Sequence, residues 1–402
     1  MSKKILMLLT LVVFQILFLF GCKQTPQKVQ DRMKNYGDNS QINEEVELEY
    51  CTVDELKKKD LTDISGEYNI SIPKKFDCSG ITDISILNMQ YESGCFNLKD
   101  KYVELFGVDK DSLKYRAADD EGEEYIYESD DKKARKYFAL SENGFVSYIC
   151  DTSYDYTEDK ISNIETYATY NMNFDDVSDK TIVFNEGPVP FNDIITDSVN
   201  WAQEHFGIKD MNYGVIDIYE RRLKTDEGVV PQMSLLLGLY YNGVLLEPYV
   251  IDFDKDDSGN YCTKAANCKV EFNYEGKDKI TFAALQTKYK LNSVKAVDKV
   301  ITPECALKII NKTFSGFGRI EASDFRVIYG LFPSSGPVES NEDINHKEAE
   351  LVEGRPVYAF WINKDSNGIS DFGMSILPEH YIYVDMITGE IITNYKFEQQ
   401  DK

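Results

Sequence analysis

The sequence predicts an α+β protein made of tandem units, each a single helix packed on an antiparallel β-meander. Three observations lead there. Two stretches, 191–206 and 302–314, carry apolar residues at helical spacing behind a capping residue. Each is followed by β-rich runs separated by turn dipeptides. A shorter copy of the same order of signals lies at 98–150. Helix-then-meander order implies sheets covered by a helix on one face. The composition agrees: 42% hydrophobic and 28% charged residues exclude wholesale disorder.

The chain opens with a targeting segment. Lys3 and Lys4 precede an apolar run at 5–20, broken only by Thr10 and Gln15. That is shorter than the roughly 20 apolar residues a stable membrane span needs, so it reads as a signal peptide. The run ends in Leu19-Phe20-Gly21-Cys22, which resembles the lipobox of bacterial lipoproteins. The resemblance implies that residues 1–21 are removed and that Cys22 is the lipid attachment site and the mature N-terminus. The protein would then sit on the extracytoplasmic face of the cell membrane, held there by its N-terminal lipid. Residues 22–43 are mostly polar and read as a flexible tether, spanning on the order of 25 Å as a coil.

Beyond the tether three regions follow: an N-terminal α+β domain at 44–185, a middle one at 186–294 and a C-terminal one at 295–402. In the first, 67–72 and 83–91 read as strands. A short helix at 98–106 stops at Gly107, and strands at 137–140 and 145–150 flank Asn143-Gly144. In the second, Ile195, Val199, Ala202 and Phe206 form a helical face, with Asn192 or Asp193 as cap and Gly207 as stop. Strands are expected at 213–223, 232–241, 244–253, 268–274 and 281–289. Asn242-Gly243 is the strongest hairpin signal in the chain, since both turn residues need positive φ. In the third, Thr302 caps a helix with Pro303 at its first position, where a missing N–H costs nothing. Ala306, Ile309, Ile310 and Thr313 form its face. Strands follow at 325–332, 356–362, 380–387 and 390–395.

This last region resembles the PepSY-like fold. The matching residues are the 302–314 helix, the Arg355-Pro-Val-Tyr-Ala-Phe-Trp strand and the ending Tyr381-Ile-Tyr-Val-Asp-Met-Ile-Thr-Gly-Glu-Ile. In such domains Asp385 would hold the turn's backbone N–H groups and Gly389 would take positive φ. The wider layout resembles the YycH/YycI type of membrane-anchored regulators and the lipoproteins of Gram-positive anaerobes. The resemblance implies a binding or regulatory role outside the membrane.

Charge limits the partners. Lys and Arg number 44 against 69 Asp and Glu, a net −25. Such a surface repels phosphate, so nucleic acid is not expected as a partner. Eight cysteines are present, and with Cys22 lipidated an odd seven remain. Cys262 and Cys268 could bridge a short loop; the others read as small buried hydrophobes. No zinc spacing and no catalytic motif occur, so no cofactor, metal or catalytic residue is expected. His205, His346 and His380 are dispersed, and His205 is placed to meet a helix dipole. Asp254-Lys-Asp256-Asp-Ser258-Gly259 begins like a calcium loop, but its twelfth position is Ala265; Asn363-Lys-Asp365-Ser-Asn367-Gly368 ends likewise on Met374. Both read as hairpin turns. Asp119-Asp120-Glu121-Gly-Glu123-Glu124 reads as a solvated charge run.

These readings point to a non-enzymatic lipoprotein that binds a protein or peptide partner. Two alternatives remain: a cell-surface hydrolase using paired carboxylates, or a small-molecule-binding lipoprotein.

Overall fold

A computed structural model describes residues 46–59, 68, 70–72, 76, 78–91, 99–118, 122–128, 136–141, 146–150, 161–172, 175–225, 228–247, 251–254, 262–265, 269–277, 279–285, 289–314, 320–322, 324–334, 346–348, 351–362 and 380–393. The signal peptide, Cys22 and the tether lie outside them, as do Asn363-Gly368 and Asp119-Glu121. No helix among the described residues is long and apolar enough to cross a membrane.

Leu48–Tyr395 form one compact unit. Its chain order begins with β1 (Tyr50–Cys51), α1 (Val53–Leu56), β2 (Ile70–Ser71), β3 (Ser85–Tyr91) and α2 (Lys99–Leu105). Then come β4 (Lys114–Ala118), β5 (Gly122–Glu128), β6 (Lys136–Ser141), β7 (Val146–Cys150), β8 (Ile161–Asn171), β9 (Thr181–Phe184) and β10 (Gly187–Pro190). Helix α3 (Phe191–Phe206) leads into β11 (Asn212–Thr225), β12 (Gly228–Tyr241), β13 (Val244–Leu246), β14 (Ile251–Asp254), β15 (Cys262–Ala265), β16 (Lys269–Gly276), β17 (Lys279–Leu285), β18 (Tyr289–Ala296) and β19 (Val300–Ile301). Helix α4 (Pro303–Thr313) precedes β20 (Ile320–Glu321), β21 (Asp324–Pro333), β22 (His346–Glu348), β23 (Leu351–Ile362), β24 (His380–Asp385) and β25 (Ile391–Thr393).

The expected tandem helix-on-meander units are not what the chain builds. A single 16-stranded mixed sheet runs through all three regions, in the order β18-β3-β23-β21-β13-β12-β16-β17-β7-β6-β5-β4, with β8, β11, β24 and β25 branching from it. Strand β3 enters between β18 and β23, β17 pairs with β7, and β13 joins β21 in parallel through Leu245↔Ile328 and Leu246↔Tyr329. The reason is edge satisfaction. A separate meander would leave bare edge strands, and here those edges take strands from distant parts of the chain. Local hairpin signals specify neighbours in sequence and carry no record of these long-range partners.

Many local elements follow from the sequence. Asn242 (φ 51°) and Gly243 (φ 78°) make the expected tight turn between β12 and β13. Thr302 caps α4, its hydroxyl accepting from Cys305 N at 3.2 Å, with Pro303 behind it. Gly107 ends α2 with φ 58°. Asp385 Oδ1 accepts from the backbone N–H of Ile387 and Thr388 at 2.8 Å, and Gly389 has φ 75°.

Other details differ. Helix α3 starts earlier than expected, at Phe191 behind Pro190, and buries Phe191, Ile194, Ser198, Ala202 and Phe206 rather than the face through Ile195 and Val199. Gly207 keeps φ −53°; it is needed because a Cβ there would lie 2.3 Å from the Gln203 carbonyl oxygen. Thr313 is exposed, and Phe314 takes its place in the core. The expected strand at 244–253 is two strands, β13 and β14.

Strand alternation sorts the sheet's side chains onto two faces. Phe272 of β16 meets Trp201 of α3 edge-on at 5.4 Å, and Tyr274 shares a 2.7 Å hydrogen bond with Ser198. Phe325 and Phe360 stack at 4.3 Å and Phe76 stacks on Phe325 at 4.6 Å, with Tyr358 beside them bonding Ile301 O ahead of α4. Register places these residues on one face, the helix-covered one. The opposite face carries a second core of Ile216, Leu236, Leu245, Ile328, Val357, Ala359, Trp361 and Tyr383.

Candidate functional site

That second face is unusually polar for a buried surface. From β11, β12 and β16 it carries Asp217, Arg221, Gln232, Ser234, Lys269, Glu271 and Asn273, all buried. Burial pulls the Lys269 ammonium below its usual range, and Glu271 opposes that shift in part. Buried charges survive only when paired or hydrogen-bonded, so such a concentration is costly unless it is used.

The most defined group lies where β8, β11, β12 and β21 meet. Arg326 is buried among apolar neighbours in the run Asp324-Phe-Arg-Val-Ile-Tyr. Its Nε donates to Asp324 Oδ2 at 3.0 Å, and its Nη2 donates to the same oxygen and to Asn171 Oδ1 at 3.0 Å. Asn171 Nδ2 donates to Asp324 Oδ2 at 3.0 Å. The guanidinium lies 4.9 Å from the Trp361 ring. Trp361 Nε1 donates to the Tyr383 hydroxyl at 3.2 Å, which donates to Glu247 Oε2 at 2.5 Å. Burial opposes the Arg326 charge most strongly, but the neighbouring Asp324 and Asp217 carboxylates outweigh it and hold the group protonated.

Beside this group is a cavity of about 180 Å³ lined by Ile81, Met172, Tyr240, Gly243, Leu245, Arg326 and Val327. Local backbone features build it. A bulge between Val215 and Asp217 lets Ile216 O accept from Met172 N at 2.9 Å, bringing Met172 alongside. Gly214 leaves room for the Tyr240 ring, since a Cβ there would lie 2.8 Å from Tyr240 Cε2. Thr82 N–H and hydroxyl both donate to Asn242 O, at 2.9 and 3.2 Å, which ties the segment holding Ile81 over the β12–β13 turn.

Two residues that line this cavity keep a polar group with no hydrogen bond to another of the described residues: Arg326 at Nη1 and Tyr240 at its hydroxyl. Burial raises the Tyr240 pKa most strongly; the Arg326 charge pulls it down, Asp217 and Asp324 push it up, and the net rise keeps the hydroxyl protonated. The lining is mixed, aliphatic side chains alternating with polar groups, and a concave site with a few convergent polar groups is the usual form of a ligand site.

A second cavity, about 150 Å³, lies between Leu105, Phe106, Tyr148, Trp201, Ile280 and Ala283. Its walls are apolar and aromatic, with Phe106 stacked on Tyr148 at 4.4 Å. His205 packs on Trp201 at 4.8 Å in the last turn of α3.

The other residues singled out in the sequence do not converge. His346 and His380 begin β22 and β24 on separate parts of the fold. Asp254 ends β14 and Cys262 begins β15, while Cys268 and 255–260 lie outside the described residues. Cys51, Cys78 and Cys305 are buried, as small hydrophobes would be. Glu123 and Glu124 belong to β5 rather than to a loop, and Glu124 pairs with Arg116 across the β4–β5 hairpin. Among the described residues no group of three or more His, Cys, Asp or Glu is placed to hold a metal.

Sequence reading missed Tyr240, Arg326 and Trp361. One signal was available: Arg326 interrupts an apolar strand, and Trp361 is one of only two tryptophans.

No protein family matches the chain, and no curated protein matches it. Among solved structures it is similar to an uncharacterized protein from Eubacterium rectale ATCC 33656, at 13% identity and a TM-score of 0.46, over 85% of this chain and 97% of that one.

Proposed function

We propose that this protein is a lipoprotein anchored through Cys22 on the outer side of the cell membrane, and that it acts by binding a peptide or protein rather than by turnover. Recognition is assigned to the cavity between Tyr240 and Arg326. The observation that carries the reading is the pair of unused polar groups, Arg326 Nη1 and the Tyr240 hydroxyl, on two residues that line one cavity with the aliphatic side chains of Ile81, Met172, Leu245 and Val327. A sheet is a stiff support for such a site, and the Asp324 and Asn171 contacts orient the guanidinium before any partner arrives.

Tyr240→Phe tests it cleanly. The hydroxyl makes no hydrogen bond to another of the described residues, so its removal should leave folding unchanged while weakening capture of peptides from a capped-peptide library by the full-length chain in detergent. Equal capture by both proteins would refute the assignment of the cavity. Hydrolysis of the library by the wild-type chain would refute the non-enzymatic reading.

A further inference from the structure

We infer that the Tyr240–Arg326 cavity accepts one neutral carbonyl-bearing side chain of a peptide, such as a glutamine carboxamide on its methylene stem, and discriminates against the carboxylate of the same shape. This rests on the peptide-binding reading above and names what that site selects.

Size comes first. A volume of about 180 Å³ is roughly six water molecules' worth at ~30 Å³ each. That suits one side chain and is below the ~300 Å³ where whole-ligand pockets begin. The walls come next: Ile81, Met172, Leu245 and Val327 offer apolar contact to a stem. At the polar end, Arg326 Nη1 can only donate, and the Tyr240 hydroxyl is a protonated donor. Two donors match the two lone pairs of one carbonyl oxygen.

Charge decides between amide and carboxylate. Arg326 is already neutralised by Asp324, and Asp217 lies close enough to act on both Arg326 and Tyr240. A carboxylate would add an uncompensated negative charge beside an Arg326–Asp324 pair that is already neutral. A carboxamide takes the same two hydrogen bonds without that charge. An apolar side chain of equal length would fill the volume but leave both donors desolvated and unpaired.

The test uses capped Ala-Ala-Xaa-Ala-Ala peptides with glutamine, glutamate or methionine at the centre, titrated into the full-length chain in detergent. Butyramide and butyrate serve as small probes by ligand-observed NMR. Glutamine should bind about tenfold more tightly than methionine, the size of one charge-assisted hydrogen bond, and glutamate should be weaker than glutamine. Tyr240→Phe should shrink the glutamine-over-methionine gap. Glutamate binding as well as glutamine, or methionine equal to glutamine, overturns the inference. If no peptide binds but butyramide binds in preference to butyrate, the carbonyl selection stands and the peptide reading falls. If neither peptides nor butyramide bind, both fall.

Discussion

Arg326 and Asp324 stand two residues apart on one face of β21, hydrogen-bonded to each other, with side chains only 7% and 6% exposed. The pair positions the guanidinium beside the cavity, and it is held at a cost in desolvation. Removing one member should therefore hurt more than the pair itself helps. Arg326→Ala should lower stability by about 3–5 kcal/mol, because it strands the Asp324 carboxylate in the interior. Urea unfolding measures this; a loss below about 1 kcal/mol would mean that the carboxylate finds other compensation.

Gly243 supports the same cavity from the turn. It has φ +78°, and a Cβ there would meet the Gly80 carbonyl oxygen at 2.0 Å. Gly243→Ala should cost about 1–3 kcal/mol through backbone strain. Gly80→Ala, with nothing within 4 Å of its Cβ position, is the control and should stay within ~0.5 kcal/mol. Equal losses in the two variants would contradict the close approach.

Alkaline pH should unfold the protein through its buried tyrosines. Burial pushes the Tyr274 phenol up to about 12, although its hydrogen bond to Ser198 works the other way. The unfolded chain releases that proton near its usual value of ~10. Between these values the native state holds more protons than the unfolded state, so stability is full below the lower value and falls as pH rises towards the upper. Tyr358 and Tyr383 are raised in the same direction, first by burial. Tyrosinate absorbance followed alongside circular dichroism should show these groups ionising together with loss of structure. Ionisation of all tyrosines near the ordinary value with the fold intact would contradict their burial.

Anchoring is tested at Cys22. Cys22→Ser should abolish incorporation of a fatty-acid analogue and release the protein from the membrane fraction. Full labelling of the variant would rule out this attachment site.

The sequence made the local structure legible wherever a residue type is demanded by its own neighbours. Asn242-Gly243, Thr302-Pro303 and the Asp385-to-Gly389 turn are of this kind, because positive φ, capping and turn hydrogen bonds act over a few residues. Sheet assembly was not legible. Nothing in Ser85–Tyr91 announces pairing with both Tyr289–Ala296 and Leu351–Gly354, more than 190 residues away. The cavity was hidden for the same reason. Asn171, Tyr240 and Arg326 are separated by 69 and 86 positions and meet only through register, bulge and the parallel β13–β21 junction.

The most direct test of the central claim is thermal unfolding of the wild-type chain and Tyr240→Phe, each with and without the glutamine-centred peptide. A ligand that binds only the native state at about 100 times its dissociation constant adds ~2.7 kcal/mol of stability and raises the midpoint. The two proteins should melt alike without peptide, and at one peptide concentration the wild type should gain distinctly more than Tyr240→Phe. Equal upward shifts would place binding elsewhere on the molecule, and the absence of a shift in the wild type would contradict a peptide site at Arg326 and Tyr240.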